Sequence, residues 1–503
     1  MKLLIFVLQM LAVGALVNAQ GAWTNRYNGS WNSTDQVSAM AVDSSGNNFV
    51  TGWSVGTSGR DYLTIAYSNA GLPLWTNAYN GPANYNDEAR AIATSSDGKV
   101  FVTGASWGNF TSYDCATVAY SSTGVPIWTN RYNWPGDGWD GGNAIAVDDD
   151  GNVFVTGGSV GTTPQSYDYA TIAYSSAGMP LWTNRYNSAF PNAIAVDGNG
   201  NVFVTGNSSD QVTIAYSNLG GPLWTNLYNG SNQSWGVAIA LDATGKVFVA
   251  GRSRRGANYD YTTFSYSSLG VPLWTNFYNG PANGHDQVAG MAVDGSGNVY
   301  VTGNSGGVGI GQDYATIAYS NTGVPLWTNR YNGPGNTNDA AAAIAVDNSG
   351  NVFVTGYSTI SGTNSEMVTI AYSSAGVPLR TNYYGGFGSG TNQAKAIAVD
   401  NAGNVYVTGI SEGLGSGLDY VTIKYPSVTA VTPIQLLRPE IVGGEFVFFL
   451  QTDVGRTYSV QMRTNLSTAQ WGFVMPIVGD GTEKQINLPI VGDPEAYYRV
   501  ELD

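Results

Sequence analysis

The sequence predicts an all-β chain: an eight-bladed β-propeller of four-stranded antiparallel blades, its ring closed by the N-terminal strand, followed by a small β-sandwich. Three observations predict it. The string W-T-N begins at residues 23, 75, 128, 182, 224, 274 and 327, with a degenerate copy, R-T-N, at Arg380. Between successive copies three further strings recur in one order, close to "AIAVD" (Ala144 to Asp148), "VFVTG" (Val153 to Gly157) and "ATIAYS" (Ala170 to Ser175). Each is short and rich in apolar or β-branched residues, as strands are. A four-strand unit repeating about every fifty residues cannot bury both its faces alone, and radial stacking against its neighbours solves that.

The elements follow in chain order. Lys2, the apolar run Leu3 to Val17 and the small-residue string Val17-Asn18-Ala19 make residues 1–19 an expected secretory signal peptide, too short and wrongly flanked for a membrane span. No cysteine follows the cleavage point and no later segment is apolar for long enough to cross a bilayer. The mature protein is therefore expected to be secreted or displayed at the cell surface, with no membrane insertion.

Residues 20–426 are the expected propeller. Between its first and second strings lies D-x-x-G-N, as in "DSSGN" at Asp43 and "DGSGN" at Asp294, and the third and fourth are joined by S-x-x-G. Asp can bond its own backbone there and Gly can take the left-handed conformation that closes a tight hairpin. A proline precedes the W-T-N string at Pro73, Pro126, Pro180, Pro222, Pro272, Pro325 and Pro378. Proline lacks a ladder donor and belongs on an edge, so this strand is outermost and the Ala-rich strand innermost. Its tryptophan then reads as a packing wedge between blades. After the last third strand, "VTIKY" at Val421 to Tyr425, no W-T-N follows; the spare copy, Trp23 to Tyr27, lies at the other end of the chain and completes the eighth blade.

The stretch Asp313 to Ser358, "DYATIAYSNTGVPLWTNRYNGPGNTNDAAAAIAVDNSGNVFVTGYS", resembles the bacterial beta-propeller repeat called SBBP, and the resemblance runs over residues 23–425 in all eight copies. It implies a propeller on an exported or surface protein and brings no catalytic residues with it. Beyond a linker at 427–433, residues 434–503 carry strand-like segments such as "EFVFFLQTD" and "TYSVQMRTN" with turns at Gly443-Gly444 and Gly479-Asp480-Gly481, the pattern of a small β-sandwich. This part is similar to C-terminal domains of Verrucomicrobia-type exported proteins, with secretion, attachment and capping all open as roles.

Composition narrows the function. Charged residues make up 11% of the chain, against roughly 25% in ordinary globular proteins. A formal net charge of −15 argues against nucleic acid or an anionic membrane as partner. The single cysteine, Cys115, leaves no internal disulfide, and with one histidine, His285, no multi-histidine centre can form.

The repeats also separate scaffold from site. The two hairpins just described hardly vary, whereas the blade-to-blade loops ("NWPGDGWDGGN", "NGSNQSWG") and the second-to-third-strand loops ("ASWGNFTSYD", "RSRRGANYD") vary freely. Both variable connections fall on one face, where binding residues on a rigid scaffold belong. That face carries Trp31, Trp107, Trp134, Trp139 and other rings, suited to sugar stacking, to a protein partner or to packing down the loops.

Both variable loops of the fourth unit, "NSAFPN" and "NSSDQ", are short, which predicts a notch flanked by Tyr167, Phe190, Trp235 and Tyr259, with the basic cluster Arg252, Arg254 and Arg255 beside it. These seven residues are the expected ligand-binding site, with an anionic group among its candidate ligands. Aspartates recur before the third strand (Asp61, Asp114, Asp168, Asp210, Asp260, Asp313, Asp419) and before the inner strand (Asp35, Asp87, Asp140, Asp286, Asp339), a repetition that favours capping of backbone donors. Calcium is the ion such oxygens would suit, although no EF-hand pattern is present. No other cofactor is expected, and a monomer is.

The sequence thus reads as an exported, non-enzymatic binding or adhesion scaffold that recognises glycans or extracellular proteins through the variable face. The alternative is a carbohydrate-active hydrolase or lyase using loop carboxylates of that face.

Overall fold

The computed structural model describes residues 21–134, 137–160, 167–187, 189–208, 210–228, 233–307, 311–387, 390–428, 436–452, 457–463, 472–479, 482–489 and 497–502. The expected signal peptide and most of the expected linker lie outside the described residues. Two compact units divide the chain, one spanning Asn18–Val428 and the other containing Thr429–Asp503.

The first unit is a β-propeller of eight four-stranded antiparallel sheets. Blade 3 is typical: Asp140–Val147 is innermost, then Val153–Val160, Tyr167–Tyr174 and Pro180–Tyr186 outward. The innermost strands adjoin one another around the ring, and Asn392–Val399 of blade 8 adjoins Gln36–Val42 of blade 1. Blade 8 takes its outermost strand from the N-terminus, Trp23–Tyr27, with Trp23 opposite Lys424 and Tyr27 opposite Tyr420.

The core lies between blades, not within them. Phe49, Tyr62 and Ala66 of blade 1 pack on Ala89, Val100, Val102 and Val118 of blade 2, and equivalent sets recur around the ring. In seven of the eight blades buried threonines pair across the two middle strands, as Thr103 Oγ1 with Thr117 Oγ1 at 3.1 Å, which offsets the desolvation of the hydroxyls. Each inner strand bulges by one residue, between Ala89 and Ala91 in blade 2. The bulge drives a carbonyl toward the second strand, and a Cβ on Gly104 would sit 2.0 Å from Glu88 O. That contact explains the glycine ending "VFVTG".

The W-T-N string is more than the wedge expected of it. Trp75 is half-buried, its ring 5.8 Å from Phe49 of its own blade and 5.6 Å from Tyr120 of the next. Its Nε1–H also donates to Ser122 O at 3.1 Å, while Asn77 Nδ2 donates to Gly124 O at 2.7 Å. The indole lies flat on that hairpin: a Cβ at Gly124, whose φ is +83°, would meet Trp75 Cγ at 2.5 Å. Trp and Asn therefore clasp the S-x-x-G hairpin of the next blade, and Trp23 and Asn25 do the same to Asn69 O and Gly71 O across the ring seam.

Arg380 departs from the pattern for a physical reason. The blade it faces has no S-x-x-G hairpin, because its outermost strand comes from the other end of the chain. The longer arginine reaches Pro426 O at 2.9 Å instead and lies 5.8 Å from the Tyr425 ring.

The second unit holds two three-stranded sheets. One is Leu436–Val442, Glu445–Gln451 and Glu483–Pro489; the other is Gly472–Val478, Thr457–Arg463 and Tyr497–Leu502. Phe448, Leu450, Ile486 and Leu488 of the first meet Tyr458, Val460, Ile477 and Val500 of the second in one core, the small sandwich expected.

Candidate functional site

The variable face is framed by buried carboxylates. Asp87, 0% exposed, accepts from Gly81 N at 2.6 Å and Trp107 N at 3.1 Å and so ties the inter-blade loop to the start of the inner strand. Asp35, Asp140, Asp286 and Asp339 likewise accept from Gly29, Trp134, Gly280 and Gly333 N–H groups. Burial pushes the carboxyls of Asp35, Asp87, Asp140 and Asp339 up from the ordinary aspartate range.

Four of the third-strand aspartates hold arginines, where the sequence pointed to capping of backbone donors. Asp114, Asp168, Asp313 and Asp419 accept from Arg131, Arg185, Arg330 and Arg26 at 2.8–2.9 Å. Among the described residues no three His, Cys, Asp or Glu side chains converge on one point.

Several rings serve the loops. Arg185 lies 3.7 Å from the Trp134 centroid, and Trp107 packs edge-on between Tyr85 and Tyr113. The surroundings of the fourth blade are different. Blade 4 has second and third strands of six residues, Val202–Asn207 and Gln211–Tyr216, where those of blade 3 have eight.

Toward blade 3, Trp139 and Tyr167 form a three-ring cluster with Phe190 of blade 4, centroids 5.8–6.1 Å apart, and Tyr167 is 43% exposed. On the blade 5 side Trp235 meets Tyr259 edge-on at 5.1 Å, and the Arg252 guanidinium lies 4.7 Å from one ring and 5.4 Å from the other. His285 flanks Tyr259 at 5.4 Å and accepts from its backbone N–H through Nδ1, while the Tyr259 hydroxyl donates to Gln233. Asn207 joins the two sides: oriented as its neighbours require, its amide N donates to Phe190 O at 3.1 Å and its O accepts from Trp235 Nε1 at 3.3 Å.

The three arginines of the basic cluster have three different settings. Arg252 belongs to the ring cluster, and its buried Nε has no hydrogen-bond partner. Arg255 lies 4.0 Å from the Phe277 centroid and 3.6 Å from Asp260, supplying the guanidinium that Phe277 cannot. Arg254 is exposed and its Nε donates to Gly256 O at 3.3 Å. Of the seven expected residues, Tyr167 and Phe190 cluster on one side and Trp235, Tyr259 and Arg252 on the other, while Arg254 and Arg255 point to other partners; Trp139, Asn207 and His285 join the clusters through contacts between blades.

Aromatic rings flanking a guanidinium suit a flat, hydroxyl-rich or anionic ligand: the rings stack, and the fork binds a carboxylate.

The family model described as a beta-propeller repeat (SBBP) matches residues 183–211 and 280–310. Both matched stretches lie within the eight-bladed β-propeller and carry its repeated strand pattern. No curated protein matches it. Among solved structures it is similar to the crystal structure of Sqt1 from Chaetomium thermophilum (11% identity, 80% of this chain and 100% of that one, TM-score 0.49) and to the Dos1 propeller (9% identity, 79% and 94%, TM-score 0.49).

Proposed function

We propose that this protein is an exported, non-enzymatic binding scaffold whose ligand, a glycan carrying an acidic group, engages the notch at blade 4. One observation carries the reading. On a ring of near-identical blades, the one shortened blade contributes Phe190 and is flanked by Trp139 and Tyr167 on one side and by Trp235, Tyr259 and Arg252 on the other. A rigid frame with individual loops is how binding surfaces are built. A protein ligand presenting a carboxylate would use the same groups.

Retention of the protein on a panel of insoluble acidic and neutral polysaccharides, with and without chelator, tests this. Retention without released sugar is the expected result, and loss of retention in chelator would bring calcium into the account. The hydrolase reading has one observation in its favour: burial, and then the charge of Asp87, push the Asp61 carboxyl up to about 6, within reach of a general acid. Sugar released by the wild type and not by Asp61→Asn would replace the scaffold reading with that one.

A further inference from the structure

Four blades share a latch at the variable end of their strands. In blade 2, Arg131 on the outermost strand donates to Asp114 at 2.8 Å, to Ser106 Oγ at 2.5 Å and to Tyr79 OH of the preceding blade at 2.9 Å. Arg185 does the same to Asp168, Ser159 and Tyr132, Arg330 to Asp313, Ser305 and Tyr278, and Arg26 to Asp419, Ser411 and Tyr384.

Blade 1 keeps the acceptors and lacks the arginine. Ser54 stands opposite Asp61 as Ser106 stands opposite Asp114, and Tyr27 ends the preceding outermost strand. At the register of Arg131, opposite Ala116, blade 1 has Ala78, opposite Leu63. Ala78 is exposed, and Asp61 Oδ1 is buried without a hydrogen-bond partner. The adjacent Arg60 is engaged elsewhere, bonded to Glu88 with its guanidinium 4.2 Å from the Trp53 ring. Blade 5 shows that the cation need not come from the outermost strand, since Arg255 reaches Asp260 from the end of the second strand.

We propose that Asp61, Ser54 and Tyr27 at the ring seam bind an alkylguanidinium group, the head of an arginine side chain carried by a protein partner. The same acceptor set closes on a guanidinium in four sister blades, and its three acceptors match the planar fork better than a point charge. A net charge of −15 favours a basic partner. The site lies at blades 8 and 1, apart from the notch at blades 3 to 5, and stands or falls separately from it.

The test is calorimetric titration of the whole chain with an end-blocked Gly-Arg-Gly peptide. One equivalent should bind, with a Kd on the order of 1 mM for so small a contact. Ala78→Arg, which recreates the sister blades, should fold as the wild type does and abolish binding, Asp61→Asn should weaken it about tenfold or more, and Trp235→Ala should leave it unchanged. Absence of saturable binding, equal binding of the Gly-Lys-Gly peptide, or binding unaltered in Ala78→Arg would overturn the proposal.

Discussion

Asp61 shows how one residue departs from a repeated plan. Four of its equivalents, Asp114, Asp168, Asp313 and Asp419, face an arginine of the outermost strand, whereas Ala78 leaves the Asp61 carboxyl partly buried near Asp87 and pushed up to about 6. The folded value exceeds the ordinary 3.8, so the folded chain holds the proton more tightly than the unfolded one. Stability contributed by this group is therefore present below about pH 4, falls as pH rises from there to about 6, and is absent above. Asp61→Asn should stabilise the protein at pH 7.5 by about 1 kcal/mol, allowing for the screening of a partly exposed carboxylate, and by almost nothing at pH 4. Urea unfolding at the two pH values checks it.

The tryptophans carry a second prediction at this scale. Trp75→Ala removes the roof of Gly124 and one hydrogen bond, and should cost about 3 kcal/mol. Arg380→Trp should gain nothing, because no glycine hairpin lies beneath it; chemical denaturation of the two variants compares them.

At the scale of the strand and hairpin, much was legible. The D-x-x-G-N and S-x-x-G turns depend on residues a few positions apart, and the proline before W-T-N marks an edge strand by itself. The W-T-N clasp was not legible, because Asn77 binds Gly124, 47 positions on, and nothing local announces it. The arginine latch lay between these cases: its members recur at fixed offsets, yet that they meet one another is a consequence of blade packing. Asp114 is nearly buried, so Arg131→Ala strands its carboxylate and should cost about 2 kcal/mol. Adding Asp114→Asn should return part of that, a double-mutant cycle by thermal or urea unfolding being the measurement.

For the whole molecule, closure by the N-terminal strand follows from counting the repeats and needs no structure to foresee. The same count exposed the shortened fourth blade, and so the general place of the site. It could not assign the three arginines, since Arg252 and Arg255 differ in partner only through the rings and carboxylates that neighbouring strands bring up. Without residues 20–27 the strand Leu418–Tyr425 loses its outer partner and becomes an exposed edge. That truncation should expose the seam to protease and drive self-association, seen by limited proteolysis and by sizing.

The central claim is that the notch binds through Trp235 and Arg252. Its most direct test is a solution titration of the wild type, Trp235→Ala and Arg252→Gln with a soluble polyuronate, followed by calorimetry. The account predicts saturable binding by the wild type and a loss of tenfold or more in each variant, the scale of a stacked or charge-paired hot spot. Equal binding by all three proteins, with their folding intact, would contradict it.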